Sequence, residues 1–255
     1  MKLDISKVEM SNGDKKRGIT IPDELTSELA EFIGIMVGDG HVGRYEYWCN
    51  SRKYIVYQIT IAGNIIDKDY YNDFVNPLAK KLFNHNFRIY YKFDKNTILL
   101  TMESKAMFTF LSRVFEIPNR KDNILLNKYI TLGNEKIKSA FLRGYFDADG
   151  CICVKHKPNK YPVVKATSKS KGLIYQCSEI LTELGILNNV INENQYYAKR
   201  NITYHNSNLY VNGFDRVTYF LLKVGFRNPE KVRRFLNKMC EIKARGGTRI
   251  RGVSP

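Results

Sequence analysis

The sequence predicts an α/β (α+β) protein built from two copies of an αββαββα unit, and three observations predict it. Two apolar helical runs, FIGIMVGDGHV at 32–42 and FLRGYFDADGCI at 141–152, each stop at Asp-Gly. They superpose at one constant offset, which carries Gly34 onto Gly144, Gly38 onto Ala148 and Asp39-Gly40 onto Asp149-Gly150. The segments that follow them recur in the same order.

In the first half, the motif helix leads to YIVYQITI at 54–61, an alternation with the period of a half-buried strand. Helical spacing follows at 67–83, then strand-like runs at 87–93 (FRIYYKF) and 97–102 (TILLTM), then a helix through 105–115. The second half repeats the course: YPVVKAT at 161–167, a helix at 171–186, a polar stretch through Tyr196 and Tyr204, NLYVNGF at 208–214 and a helix at 216–226. FTFL at 108–111 and TYFL at 218–221 keep the offset that relates the two motifs. The join near 117–136 holds Pro118 and Gly133 but no long flexible linker. A short connection between like halves favours a pseudo-twofold pair in which each offers the other the same face. The expected division is an N-terminal extension at 1–22, a first repeat at 23–125, a second at 126–235 and a basic tail at 236–255.

The two initial helices are the expected contact between the halves. Gly34-x-x-x-Gly38 and Gly144-x-x-x-Ala148 put small residues on one helical face, which lets two backbones approach closely. Their Asp-Gly endings are electrostatically odd, because a helix C-terminus carries partial negative charge. If the helices cross side by side, Asp39 and Asp149 face one another, and a bound cation would offset their repulsion. An oxygen-only donor set selects a hard divalent ion such as Mg2+, which the carbonyls of Gly38 and Ala148 are also placed to ligate. Gly40 and Gly150 are then expected to end each helix in the left-handed conformation.

Composition narrows the partner. The 255 residues carry a net charge of +16, and from Arg216 to Arg251 eleven Lys or Arg face two acids. Such an excess points to a polyanion, nucleic acid first and an acidic membrane surface second. No segment has the run of about 18 apolar residues a membrane span needs. The N-terminus lacks the apolar core of a secretory signal, so an intracellular protein is expected, in a prokaryotic cytoplasm or an organelle matrix. The five cysteines and four histidines show no paired zinc-ligand spacing and read as reduced structural thiols and ordinary side chains. The DADG at 147–150 does not continue into a calcium-binding loop.

At LRGYFDADG (142–150) and FIGIMVGDG (32–40) the sequence resembles the LAGLIDADG homing endonucleases, in the single-chain form with two motifs, over about residues 25–235. The resemblance implies a saddle of two four-stranded antiparallel sheets astride duplex DNA, with the motif helices at the centre. It implies that Asp39 and Asp149 bind divalent metal and help activate water. Each strand would be cut across the minor groove of a long target, leaving short 3′ overhangs. Mg2+ is the expected ion, with Mn2+ as a substitute and Ca2+ supporting binding without cleavage. Asp147, matched by Val37 in the first copy, is expected to be structural. Related enzymes often place a glutamine or basic residue after the second strand of each repeat; the resemblance implies Lys169 for that role in the second half, with Lys105 a weak substitute in the first. Two unequal active sites follow.

A sheet in the major groove reads bases with alternate side chains. In 87–93 that predicts Phe87, Ile89, Tyr91 and Phe93 inward, with Arg88, Tyr90 and Lys92 toward DNA. In 54–60 it predicts Ile55, Tyr57 and Ile59 inward and Gln58 and Thr60 outward, flanked by Arg44, Arg52 and Lys53. The second half offers Lys155, Lys157, Lys165, Tyr196, Lys199 and Arg200. Two alternatives stand beside the nuclease: a maturase acting on its own intron RNA, and a DNA-binding regulator that has lost cleavage. Two motifs in one chain imply that a monomer suffices, without an obligate protein partner. The Met start and the ending RGVSP fit a free-standing intron-encoded enzyme better than a protein-splicing element.

Overall fold

Two helices form the centre of the molecule, and the computed structural model describes residues 1–155, 160–197 and 201–244 around them. The first motif helix, Ser27–Gly38, starts where the Thr26 hydroxyl accepts from Leu29 N at 3.1 Å. The second, Glu135–Ala148, starts where Asn134 Oδ1 accepts from Ile137 N at 3.1 Å. Such side-chain oxygens satisfy backbone donors that a helix start leaves unpaired. In the first helix Leu29, Ala30, Phe32, Ile33, Ile35, Met36 and Val37 are all buried, so it is covered on every side. A helix apolar all round belongs inside a protein.

Their crossing depends on glycine. A Cβ on Gly34 would stand 2.2 Å from Phe141 O, and one on Gly144 would stand 2.0 Å from Glu31 O. At Gly38 an added Cβ would lie 2.4 Å from the Ala148 Cβ. The small-residue face therefore brings backbone against backbone. Gly40 and Gly150 serve differently from the expectation: neither has positive φ, and each opens a strand. Their missing side chains make room for the helix they leave, since a Cβ would lie 2.6 Å from Met36 O or Phe146 O respectively.

Each helix end runs directly into a four-stranded antiparallel sheet. The first comprises β1 (Gly40–Cys49), β2 (Arg52–Asn64), β3 (Arg88–Lys92) and β4 (Thr97–Glu103) in the order β1-β2-β4-β3. The second comprises β5 (Gly150–Lys155), β6 (Tyr161–Ser168), β7 (Asn189–Tyr197) and β8 (Ile202–Asn212) in the order β5-β6-β8-β7. Hydropathy alone leaves β1 and β5 without a boundary; most of β1 projects past the core and is exposed on both faces. One face of the first sheet, including Val42, Ile59, Ile61, Ile98, Leu100 and Met102, packs on helices 68–83 and 105–114. In the second, Ile152, Val164, Ala166, Leu209 and Val211 pack on Lys171–Glu183 and Phe214–Lys223. Helix 68–83 carries a π-helical turn at Tyr71–Val75.

The N-terminal residues pack onto the first repeat. Asp14, fully buried, accepts from Ala106 N at 3.1 Å and from its own capping partner Ser11. At the other end, helix Pro229–Ala244 runs through position 236, where a tail was expected to begin. It lies against β5 and so returns the chain to the motif-helix ends.

Candidate functional site

Asp39 and Asp149 are the C-caps of the two motif helices, with near-identical backbones at φ −83° and −87°. Asp39 is half-buried and Asp149 is exposed at the rim. The surrounding protein strips hydration from the Asp39 carboxyl and, with the nearby charge of Asp149, pushes it up to about 6 despite a hydrogen bond from Tyr71. Loss of hydration also raises Asp149, opposed by Lys121 and Lys231. Tyr71 Oη donates to Asp39 Oδ2 at 2.8 Å.

Two lysines close the helix ends. Lys121 Nζ donates to Met36 O at 2.8 Å and to Gly38 O at 2.7 Å. Lys231 Nζ contacts four carbonyls, those of Phe146, Asp147, Ala148 and Gly150, the last at 2.6 Å. An ammonium there answers the partial negative charge of the helix C-terminus. Lys231 stands at the same offset from Lys121 as Asp149 from Asp39, so the pair obeys the repeat that relates the two motifs. Burial pushes Lys121 down to about 8 against the pull of both aspartates, and lowers Lys231 likewise. Two of the three N–H bonds of Lys121 are used, whereas Lys231 is saturated by carbonyls.

These are not the lysines singled out in the sequence. Lys105 is ion-paired to Glu9 at 2.6 Å and lies over the Tyr57 ring, so its charge is committed elsewhere. Lys169 is exposed just past β6, and the cations acting on Asp149 are Lys121 and Lys231. The shared offset of Lys121 and Lys231 is the sequence signal that marks them as a matched pair. The carbonyls of Gly38 and Ala148, expected as metal ligands, accept from Lys121 and Lys231 instead.

Asp147 is 2% exposed and accepts from Arg227 N at 2.8 Å and Asn228 N at 3.0 Å. Burial nevertheless pushes its carboxyl up to about 7. It anchors the turn that delivers Lys231, which accounts for an acid in the last turn of the helix. Glu31 pairs with Arg143 and Arg227 at 3.1 Å each and clasps the two halves on the same side.

The sheet faces turned away from the helices are polar. Register places Gln58, Thr60, Arg88, Tyr90 and Lys92 on the open face of the first sheet, with Arg52 at its far end. Gln58, Arg88, Tyr90, Thr101 and Glu103 line a depression of about 620 Å³ there. Arg44 and Lys53 lie opposite Tyr57 and Trp48 on the other face, and both pair with Glu46, at 2.6 and 2.7 Å, so they do not join this surface. Tyr91 and Phe93 have the expected parity but are 41% and 75% exposed, and Ile55 is 43% exposed, because the sheet outruns the helices beneath it. On the second sheet Lys155 and Lys165 are on the open face, over the rings of Tyr161 and Tyr210. Tyr196 shares the opposite face with Asn194 and bonds Asn201. Lys157, Lys199 and Arg200 lie outside the described residues. Among the described residues no helix is long and apolar enough to cross a membrane, and no cluster of three or more His, Cys, Asp or Glu occurs.

Residues 136–239 match the model of the LAGLIDADG-like domain. Uncharacterized protein MJ0314 of Methanocaldococcus jannaschii is 25% identical over 182 residues, 70% of this chain and 60% of that protein. The DNA polymerase of Thermococcus hydrothermalis is 27% identical over 180 residues, 69% of this chain but 10% of that protein. The match therefore covers less than two thirds of the length of these curated relatives. Among solved structures, the LAGLIDADG homing endonuclease I-LtrWI bound to target DNA superposes with a TM-score of 0.58 at 13% identity, covering 87% of this chain and 92% of that one. A mesophilic variant of the homing endonuclease I-DmoI superposes at 0.54 with 19% identity, covering 78% and 95%. I-SmaMI, bound to uncleaved DNA in the presence of calcium ions, superposes at 0.52 with 12% identity, covering 87% and 92%. With two Asp-Gly motif helices crossing at the centre of two like sheets, and the LAGLIDADG-like domain match lying on the second half, the chain has the fold of the LAGLIDADG homing endonucleases, with both motifs in one chain.

Proposed function

We propose that this chain is a site-specific double-strand DNA endonuclease that hydrolyses one phosphodiester bond in each strand across the minor groove of a long asymmetric target, leaving short 3′ overhangs. The observation that carries the reading is the pairing of Asp39 with Asp149 at two adjoining helix ends, each end closed by a lysine of the same repeat register. Two carboxylates brought together in this way fit a hard divalent cation, which commonly takes one or two protein carboxylates and completes its shell with water and substrate phosphate. Asp39 and Asp149 would hold it. When bound, such an ion lowers the pKa of water and stabilises charge on the scissile phosphate.

The chain's own residues do the rest. The glycine crossing sets the spacing of the two carboxylates, so that one bond in each strand is addressed. Lys121 keeps the first helix end in place with two N–H bonds and has a third for a phosphate oxygen or water. Lys231 acts as a positioning group, since its contacts are spent on Phe146, Asp147, Ala148 and Gly150 carbonyls. The open sheet faces supply Gln58, Arg88, Lys92 and Lys165 for base edges and phosphates.

The test is to incubate the protein and Asp149→Asn, with Mg2+ or EDTA, on a plasmid library of randomised sites and to sequence the ends. Mg2+-dependent cuts at one long sequence, absent in the variant, are expected. Binding without cuts in the wild type would overturn the nuclease and leave a regulator or an intron RNA maturase.

A further inference from the structure

We propose that Tyr71 is a positioning residue for Asp39 and makes the two halves of the site unequal toward a divalent cation; this rests on the metal-dependent reading above. Its hydroxyl donates to Asp39 Oδ2 at 2.8 Å, and the side chain is 2% exposed, so the bond is shielded from competing water. The fold makes specific room for it. A Cβ on Gly63 of β2 would lie 2.1 Å from Tyr71 Oη, so only glycine leaves the hydroxyl where it is. The ring stands at the start of the π-helical turn Tyr71–Val75 and packs edge-on against Tyr70 at 5.3 Å.

The second half has no counterpart. Its helix Lys171–Glu183 is regular, and among the described residues no donor is hydrogen-bonded to the Asp149 carboxylate. The lysines are matched between halves and this hydroxyl is not. A hydrogen bond to a ligating carboxylate fixes its orientation, and loss of such a partner typically costs 10–100-fold in metal affinity. One carboxylate is therefore pre-oriented and the other is oriented only when its ligands arrive. The DNA strand served by Asp39 should reach full cleavage at a lower cation concentration than the strand served by Asp149.

The experiment uses the full chain and Mn2+, with free ion followed by electron paramagnetic resonance. Tyr71→Phe should weaken Mn2+ binding about 10–100-fold. Tyr70→Phe, which deletes an equally buried hydroxyl that has no partner, should leave it unchanged. Gly63→Ala, which crowds the hydroxyl off Asp39, should reproduce the loss. Equal affinity in wild type and Tyr71→Phe overturns the proposal and leaves the metal-dependent reading intact; no Mn2+ binding by wild type overturns both. On a cleaved target, Tyr71→Phe should raise the half-saturating Mn2+ concentration for one strand, and an equal rise for both refutes the inequality.

Discussion

Replacing Gly144 by alanine tests the crossing on which the whole site depends. The new Cβ would stand 2.0 Å from Glu31 O and 2.9 Å from Glu31 C, both backbone atoms of the opposing helix. An ordinary carbon–oxygen contact is more than an ångström longer, and backbone on both sides cannot swing away. The helices must separate by about 1 Å, and a gap of that size forfeits roughly a quarter to a half of each dispersion contact across the seam. Overpacking of this kind costs about 1–3 kcal/mol, and an immovable backbone places it at the upper end. The alanine returns about 1 kcal/mol in helix propensity, so the net loss should be about 2 kcal/mol. For a chain of this size that lowers Tm by about 4–8 °C. Gly13→Ala is the control: it lies in a short exposed helix, its Cβ would meet only Ser11 Oγ at 3.6 Å and Arg17 Nη2 at 3.8 Å, and it should be neutral or stabilising. Differential scanning calorimetry reads both. A Gly144→Ala protein that melts with or above the wild type would refute the close-crossing account.

Other consequences are as direct. On the nuclease reading, Asp39→Asn should abolish cleavage of the selected target while leaving gel-shift affinity within a few-fold, because that reading assigns the carboxylate to the metal rather than to DNA. Lys231→Met should cost stability as well as cleavage, about 1.5–3 kcal/mol for hydrogen bonds made by a charged group, visible in urea titration. Asp147, held up near 7 by burial against an ordinary 3.8, binds its proton more tightly folded than unfolded, so its contribution is full below about pH 4 and is lost as pH rises through 7. The decline is at most about 4 kcal/mol; metal-free melts from pH 4 to 8 should show it, and Asp147→Asn should flatten it. Arg88→Ala should relax base preference at one target position by about 1–3 kcal/mol in a binding selection, whereas Lys53→Ala, on the opposite face and paired to Glu46, should leave preference unchanged.

The repeat, the motif helices and the open sheet faces were legible in the chain because they rest on local periodicities. Small residues four apart with Asp-Gly at the end mark a closely packed helix stop, and recurrence at a fixed offset marks its partner. Parity along β2 and β3 placed Gln58, Arg88 and Lys92 correctly, since alternation is a property of the strand itself. Arg44 and Lys53 were offered only as flanking residues, and the hairpin register that extends beyond the core puts them on the opposite face. Lys121 and Lys231 were encoded at the repeat offset but have polar neighbours in the sequence, and nothing local distinguishes an ammonium bound to a distant helix end from one in water.

What the sequence determined by itself was the twofold plan and the two acids, because both follow from short-range pattern repeated at fixed distance. What only tertiary structure decided was the company those acids keep. Tyr71 reaches Asp39 across 32 residues, Lys121 reaches Gly38 across 83, and Lys231 reaches Gly150 across 81. Such contacts are selected by the packing of helices on sheets and by a missing side chain at Gly63, and no local propensity carries that information.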